Sequence, residues 1–363
     1  MKKFILGIIL AFMCFGFGTN QCAKAFLHAE NKNYETNFNE FFVRLFGDDV
    51  SRRAEKNEYV YVSGSPVGFC LQSDGVVVIA VGLVESSVGK VSPCEGQDIL
   101  PGDVLVSING IRISSACDIE KIVNENDCES FEILFIRNKH LSVKHIVPAV
   151  DEKSGKARLG LWIRDSLSGV GTLTFVTEKN RFGALGHTMC DSDTGTILPV
   201  LLGKMYQCNI AGVVRGQKGE PGELKGVFVQ NNNEVANVTK NNEFGLFGDY
   251  CNNGNISLQK FKVASQSEIH PGKAQIMTTI EGTEPQMFDI EIIKVNTQAS
   301  QKSKSLVFRV TDGELLVKTG GIVQGMSGSP IIQDNKFVGA VTHVFVSDPS
   351  KGYGVYAEWM LEQ

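Results

Sequence analysis

The sequence predicts a mainly β chain, and three observations carry that reading. Short apolar alternations recur at 169–177, 197–202, 226–230, 274–281, 288–295, 306–310 and 337–346, broken by glycine or asparagine. Strands at this spacing, with no helices between them, point to a barrel or a pair of barrels. Glycine is abundant, at 38 residues, while long amphipathic helical repeats are few. A length of 363 residues suits two domains with some extra chain, and 42% hydrophobic with 21% charged residues is a globular composition. The net charge of -5 and the lack of any basic run exclude a nucleic-acid partner.

The N-terminus is built for export. Lys2 and Lys3 precede an apolar run over 4–18, and Ala23-Lys24-Ala25 offers a small-x-small cleavage site. That is the plan of a signal peptide over residues 1–25, and the run is short for a membrane span. The leader is therefore expected to be removed or kept as an N-terminal anchor, with the rest outside the cytoplasmic membrane. Residues 26–61 read as a polar tether carrying a short helix around Phe41 to Phe46. Seven cysteines follow the leader, an odd number at irregular spacing, and they read as structural thiols. His187 and Cys190 stand three apart with no second ligand pair, so neither metal nor cofactor is expected.

From about Pro66 the pattern changes. A β-branched run at Val76-Val77-Val78-Ile79 leads to Leu100-Pro101-Gly102-Asp103, an alternating strand from Val104 to Ile108, and the tight turn Asn109-Gly110. Residues 115–125 read as a helix capped by Ser115 and Asp118, with Ile119, Ile122 and Val123 on one face. Two strands, at 131–136 and 141–147, close the segment. This order of features resembles a PDZ domain over residues 62–148. The resemblance implies a domain that binds an extended peptide by strand addition. It also implies that Gly68, Phe69, Cys70 and Leu71 form a carboxylate-binding loop, although Cys70 departs from the pattern. A linker over 149–165 follows, and residues 166–363 form the second domain.

Gly325-Met326-Ser327-Gly328-Ser329-Pro330 has the form of the nucleophile loop of chymotrypsin-like serine peptidases. A serine hydroxyl needs a base to take its proton and amides aimed at the developing oxyanion. The amides of Gly325 and Ser327 are the candidates for the latter. Ser329 is a second candidate nucleophile, ranked lower because Pro330 restricts its backbone. Among the histidines of this domain, His187 sits in the small-residue turn Gly183-Ala184-Leu185-Gly186 and is the candidate base. His343 reads as a packed or edge residue on an apolar strand, and His270 as a turn residue beside Pro271. Asp312 is the candidate orienting carboxylate, with Asp191, Asp193, Asp249 and Asp289 as competitors.

The stretch from Lys318 to Gln333, together with Val338 to Val346, Gly352-Tyr353-Gly354-Val355 and Glu358-Trp359-Met360-Leu361, resembles the stage IV sporulation protein B peptidases. The order leader, PDZ domain, peptidase is similar too. The resemblance implies a PDZ domain followed by a chymotrypsin-like double β-barrel, with Ser327, His187 and Asp312 as a catalytic triad. It further implies a serine endopeptidase that processes itself. Its other expected substrate is the extracytoplasmic part of a membrane-bound regulator, whose cleavage activates an intramembrane protease and a sigma factor during sporulation, between the forespore and mother-cell membranes. Two rival readings are a PDZ peptidase with a Ser-Lys dyad, for which Lys318 is nearest on an approach strand, and an exported adaptor without catalysis. A histidine base predicts activity that rises through one ionisation at about pH 6–7.

Overall fold

The alternation that predicts strands also dictates which residues face inward, and in the computed structural model those residues build several separate cores. Residues 58–126, 128–197, 200–228, 234–251 and 256–363 are described. The leader, the tether up to residue 57 and residues 231–233 and 252–255 lie outside them. Contacts divide the described chain into Gly75–Ile163 and a second unit comprising 58–74 with Arg164–Gln363.

The chain opens with β1 (Tyr59–Val62) and β2 (Pro66–Val81), a strand of 16 residues that passes from the second unit into the first. The first unit continues with β3 (Val84–Ser86), β4 (Gly89–Val91), β5 (Val104–Ile108) and β6 (Ile111–Arg112). Helix α1 (Ala116–Glu125), β7 (Phe131–Arg137), β8 (His140–Ile146), β9 (Ala149–Val150) and β10 (Ala157–Arg158) complete it. β5 pairs with the far end of β2 and with β7, and β7 pairs with β8, all antiparallel. Asn109 and Gly110 both take positive φ, at 49° and 74°, as the tight turn between β5 and β6 requires. Ser115 and Asp118 form a capping box at the start of α1, so two amides that the helix cannot satisfy find partners. Ile119, Ile122 and Val123 then pack on Val76, Leu105, Phe131 and Ile133.

The second unit adds β11 (Leu161–Val176), β12 (Arg181–Ala184), β13 (Val200–Gln207), β14 (Asn209–Val214), β15 (Glu223–Val227), β16 (Glu234–Asn242) and β17 (Gly245–Tyr250). After them come β18 (Gln259–Val263), β19 (Gly272–Thr278), β20 (Gln286–Val295), β21 (Leu306–Val310) and α2 (Gly313–Thr319). The chain ends with β22 (Pro330–Gln333), β23 (Lys336–Val344), β24 (Lys351–Tyr356) and α3 (Ala357–Leu361). Two closed rings of six strands emerge. The first runs β2-β13-β16-β17-β12-β11 and returns to β2. The second runs β19-β20-β21-β24-β23-β22 and returns to β19. Closure leaves no free edge within either ring, which is how all-β folds avoid unpaired strands. The expected double barrel is the fold of this unit.

β1 and β18 tie the rings together. β1 pairs with β11 of the first, and β18 pairs with β1 and runs parallel to β23 of the second. Val60, Val62, Phe175, Phe247, Phe261, Phe337 and Val355 fill the seam between them.

The expected domain start at residue 62 and the expected carboxylate-binding loop are both corrected. Gly68, Phe69, Cys70 and Leu71 lie inside β2, in register with Tyr206, Met205, Lys204 and Gly203 of β13. Phe69 and Leu71 are each 1% exposed in the first barrel, and Gly68 lies under the Phe228 ring, where a Cβ would come within 2.2 Å. Alternating burial makes this stretch a barrel stave. The first unit is thus inserted after the opening stave of the first barrel, which resumes at Arg164.

Candidate active site

The serine loop spans the two barrels because its carbonyls are claimed from the first while its apolar side chains sink into the second. The amide of Thr172 on β11 donates to Ser327 O at 3.0 Å, and the Thr172 hydroxyl donates to Gly325 O at 2.9 Å. The Thr174 hydroxyl donates to Gly328 O at 2.7 Å. On the other side, Ile322, Val323 and Met326 are buried with Ile276, Phe308 and Ile331. Gly328 has φ of 93°, and a Cβ there would meet Thr172 O at 2.3 Å and Leu185 N at 2.5 Å, so glycine is required. Ser329 is fully buried and donates to the Thr278 hydroxyl at 2.9 Å, which makes it a packing residue.

Thr174→Val keeps the shape of the side chain and strands the Gly328 carbonyl without its donor. It is expected to cost about 1–3 kcal/mol of stability, read by denaturant melts. A melt identical to that of the wild type would mean the loop does not depend on this bond.

His187 follows β12 through two left-handed residues, Leu185 at φ 67° and Gly186 at φ 70°. A left-handed leucine is costly and persists only where packing over-determines it. Here the Leu185 amide donates to Thr172 O, and Gly186 abuts Val341 and Thr342 of β23. The loop beyond is held by Asn241, whose side chain accepts from Met189 N at 2.9 Å and donates to Met189 O at 2.7 Å. Further along, Asp191 is wholly buried, pairs with Arg164, and accepts from the Asp193 and Thr194 amides. Hydrogen bonds and this ion pair hold the loop in place.

Within this frame His187 Nδ1 lies 2.8 Å from Thr188 O. A carbonyl can only accept, so Nδ1 carries the proton and Nε2 a lone pair. The His187 ring packs on that of His343, with centroids 4.9 Å apart. Burial lowers the pKa of His187, against the raising effect of its bond to Thr188 O. His343 is pushed down to about 4 by burial, with His187 and Lys304 adding to the fall. Ser327 Oγ donates to Thr342 O at 3.0 Å, one residue before His343. Hydroxyl and imidazoles therefore meet along the end of β23. This end is flanked by Tyr353, the register partner of His343, whose ring stacks on Phe345 with centroids 4.3 Å apart.

Asp312 is not brought to His187. It is the N-cap of α2: one carboxylate oxygen accepts from Leu315 N at 2.9 Å and the other from Asp289 N at 3.4 Å. The sequence reading of Asp312 as an orienting carboxylate left out the helix that it starts. Lys318 is corrected with it. Placed on an approach strand, it instead occupies the last turn of α2 and pairs with Glu314 at 3.0 Å. The competing carboxylates are also occupied, Asp249 by Arg181 and Asp289 by Gln275. Among the described residues no carboxylate is hydrogen-bonded to His187. His270 lies at the surface, bonded to Pro271 O and Asp334. The residue that sequence reasoning passed over is His343. Its signal was a histidine at the end of a strand whose preceding residues, Val341 and Thr342, are buried.

A serine on a glycine-rich turn between two closed barrels, with an imidazole held neutral at the same strand end, defines a serine peptidase. Residues 155–361 match the family model described as SpoIVB peptidase S55, and the chain belongs to that family. Solved structures similar to it include the inactive form of the Rv3671c protease, at 12% identity and TM-score 0.32, over 53% of this chain and 82% of that one. The active form from M. tuberculosis matches at 11% identity and TM-score 0.30, over 53% and 70%. An HtrA-type protease, AlgW, with a decapeptide matches at 8% identity and TM-score 0.32, over 58% and 53%.

Proposed function

We propose that the chain is an exported endopeptidase that cuts itself and the extracytoplasmic part of a membrane-bound regulator in sporulation signalling, leading to sigma-factor activation. One observation carries the catalytic part: Ser327 Oγ rests on Thr342 O while His187 packs on the next residue, so nucleophile and base share one strand end. The regulatory part rests on the family and on the leader.

His187 is the base and Ser327 the nucleophile. The hydroxyl leaves Thr342 O, gives its proton to His187 Nε2 and attacks the peptide carbonyl. The imidazolium then protonates the departing amine as the C–N bond breaks. Water hydrolyses the acyl-enzyme with His187 again as base. The amides of Gly325 and Ser327 bind the oxyanion. Thr188 O performs the tautomer fixing that a triad gives to a carboxylate, and Asp312 acts one step away, by starting α2 before the serine loop. Residues 75–163 retain the reading of a PDZ-like unit that takes up an extended segment by strand addition. Gly68 to Leu71 have no part in it.

Purified full-length protein, incubated alone, is expected to generate new N-termini that Ser327→Ala does not. Equal cutting in both proteins, read by N-terminal sequencing, would assign the cleavage to a contaminant and remove the self-processing reading.

A further inference from the structure

The hairpin of β14 and β15 leaves the first barrel between β13 and β16 and packs on the second. Cys208, Ile210 and Leu224 are buried in the second barrel's core, and Ile210 exchanges both backbone bonds with Gly282. Its connecting segment reaches the end of α2 and the turn after β23: Gly216 N donates to Thr319 O and Gly219 N to Val346 O, each at 2.8 Å. Between these points the hairpin forms a parallel bridge to the residue before the loop. Leu224 N donates to Gln324 O, and Gln324 N donates to Gly222 O, both at 2.8 Å.

That bridge fixes one peptide plane. In a trans peptide the carbonyl and the following amide point in opposite directions. With Gln324 O held on Leu224, the Gly325 N–H must point away from the hairpin. Gly325, at φ 95°, packs directly on the Leu224 side chain, and a Cβ there would meet Leu224 Cβ at 3.0 Å. Rotating this plane by half a turn would break the Leu224 bond and drive the Gly325 N–H toward a buried leucine. The second plane is fixed alike, because Met326 O accepts from Ser329 N at 2.9 Å and Ser327 N–H points the other way. The first lock is borrowed from the hairpin, whereas the second lies within the loop.

We propose that the β14–β15 hairpin holds the oxyanion-binding peptide in its working orientation, with the Leu224 amide as the positioning group. This rests on the reading of Ser327 as nucleophile. Leu224 acts through Gly325 and does not touch substrate. The hairpin makes transition-state stabilisation depend on a segment outside both the serine loop and the histidine loop.

The test uses the full-length chain and a fluorophosphonate probe, separating the maximal acylation rate from the probe's apparent affinity. Leu224→Pro removes the N–H and is expected to lower the maximal rate about 100- to 1,000-fold, the loss typical of one oxyanion donor. Apparent affinity should stay within about twofold, since no binding contact changes. Exchange of the Leu224 amide for an ester keeps the side chain, deletes only the donor, and should give the same split. It decides the matter should the proline variant fail to fold. A folded variant with an unchanged maximal rate, or one that loses affinity and rate together, overturns the proposal. Labelling that persists in Ser327→Ala would instead overturn the nucleophile, a separate result.

Discussion

Ser327→Ala should abolish fluorophosphonate labelling and lower turnover by about a million-fold, the loss seen when a serine nucleophile is removed from a working site. Ser329→Ala should leave labelling intact. Its hydroxyl is buried against Thr278, so its loss costs about 1 kcal/mol of stability and no chemistry. The contrast is large because two serines two positions apart face opposite ways in one turn: one hydroxyl opens on the cleft at Thr342 O, the other packs on β19. Labelling that vanished in Ser329→Ala and survived in Ser327→Ala would reverse the assignment.

The second large effect is on the base. His187→Ala should remove activity to a similar extent, and the pH profile should betray why. A general base works as neutral imidazole, so activity is lost as pH falls through the pKa of His187. Burial holds that pKa below the ordinary 6.5, so the acid limb should lie on the acid side of 6.5. His343→Ala uncovers one face of His187 and should move the limb up toward 6.5. A profile that stayed in place would mean the stacked ring does not shield the base. Stability follows the same sign. Both imidazoles are neutral in the fold and accept protons more readily when unfolded, so stability falls as pH drops below 6.5 toward about 4.

The sequence made the chemistry more legible than the geometry. Gly325 to Pro330 identified itself because a nucleophile turn needs glycines that no side chain could replace, and a Cβ at Gly328 would come within 2.3 Å of the Thr172 backbone oxygen. His187 stood out for the same reason, in a run of small residues that lets strands approach. The helix over 115–125 and the turn at Asn109-Gly110 were local, and local rules sufficed. Gly68 to Leu71 misled because a stave with a glycine reads like a loop before a strand when its partner, β13, lies 130 or more residues away. Asp312 misled because an N-cap and an orienting carboxylate use the same residue at the same kind of turn.

By itself the sequence marked this as a β-rich serine peptidase of a recognisable family and picked out Ser327 and His187 as the candidates for its reactive pair, since these follow from residue types in short windows. The tertiary structure decided that the first barrel is interrupted by the unit at 75–163. It also put His343 beside His187, Thr188 O where a carboxylate was expected, and a distant hairpin under Gly325. The interruption, the His343 contact and the hairpin's bridge each join segments far apart in the chain, and pairing at long range leaves no periodic mark in the sequence that it joins, while the Thr188 bond depends on a local backbone turn that residue types alone do not fix.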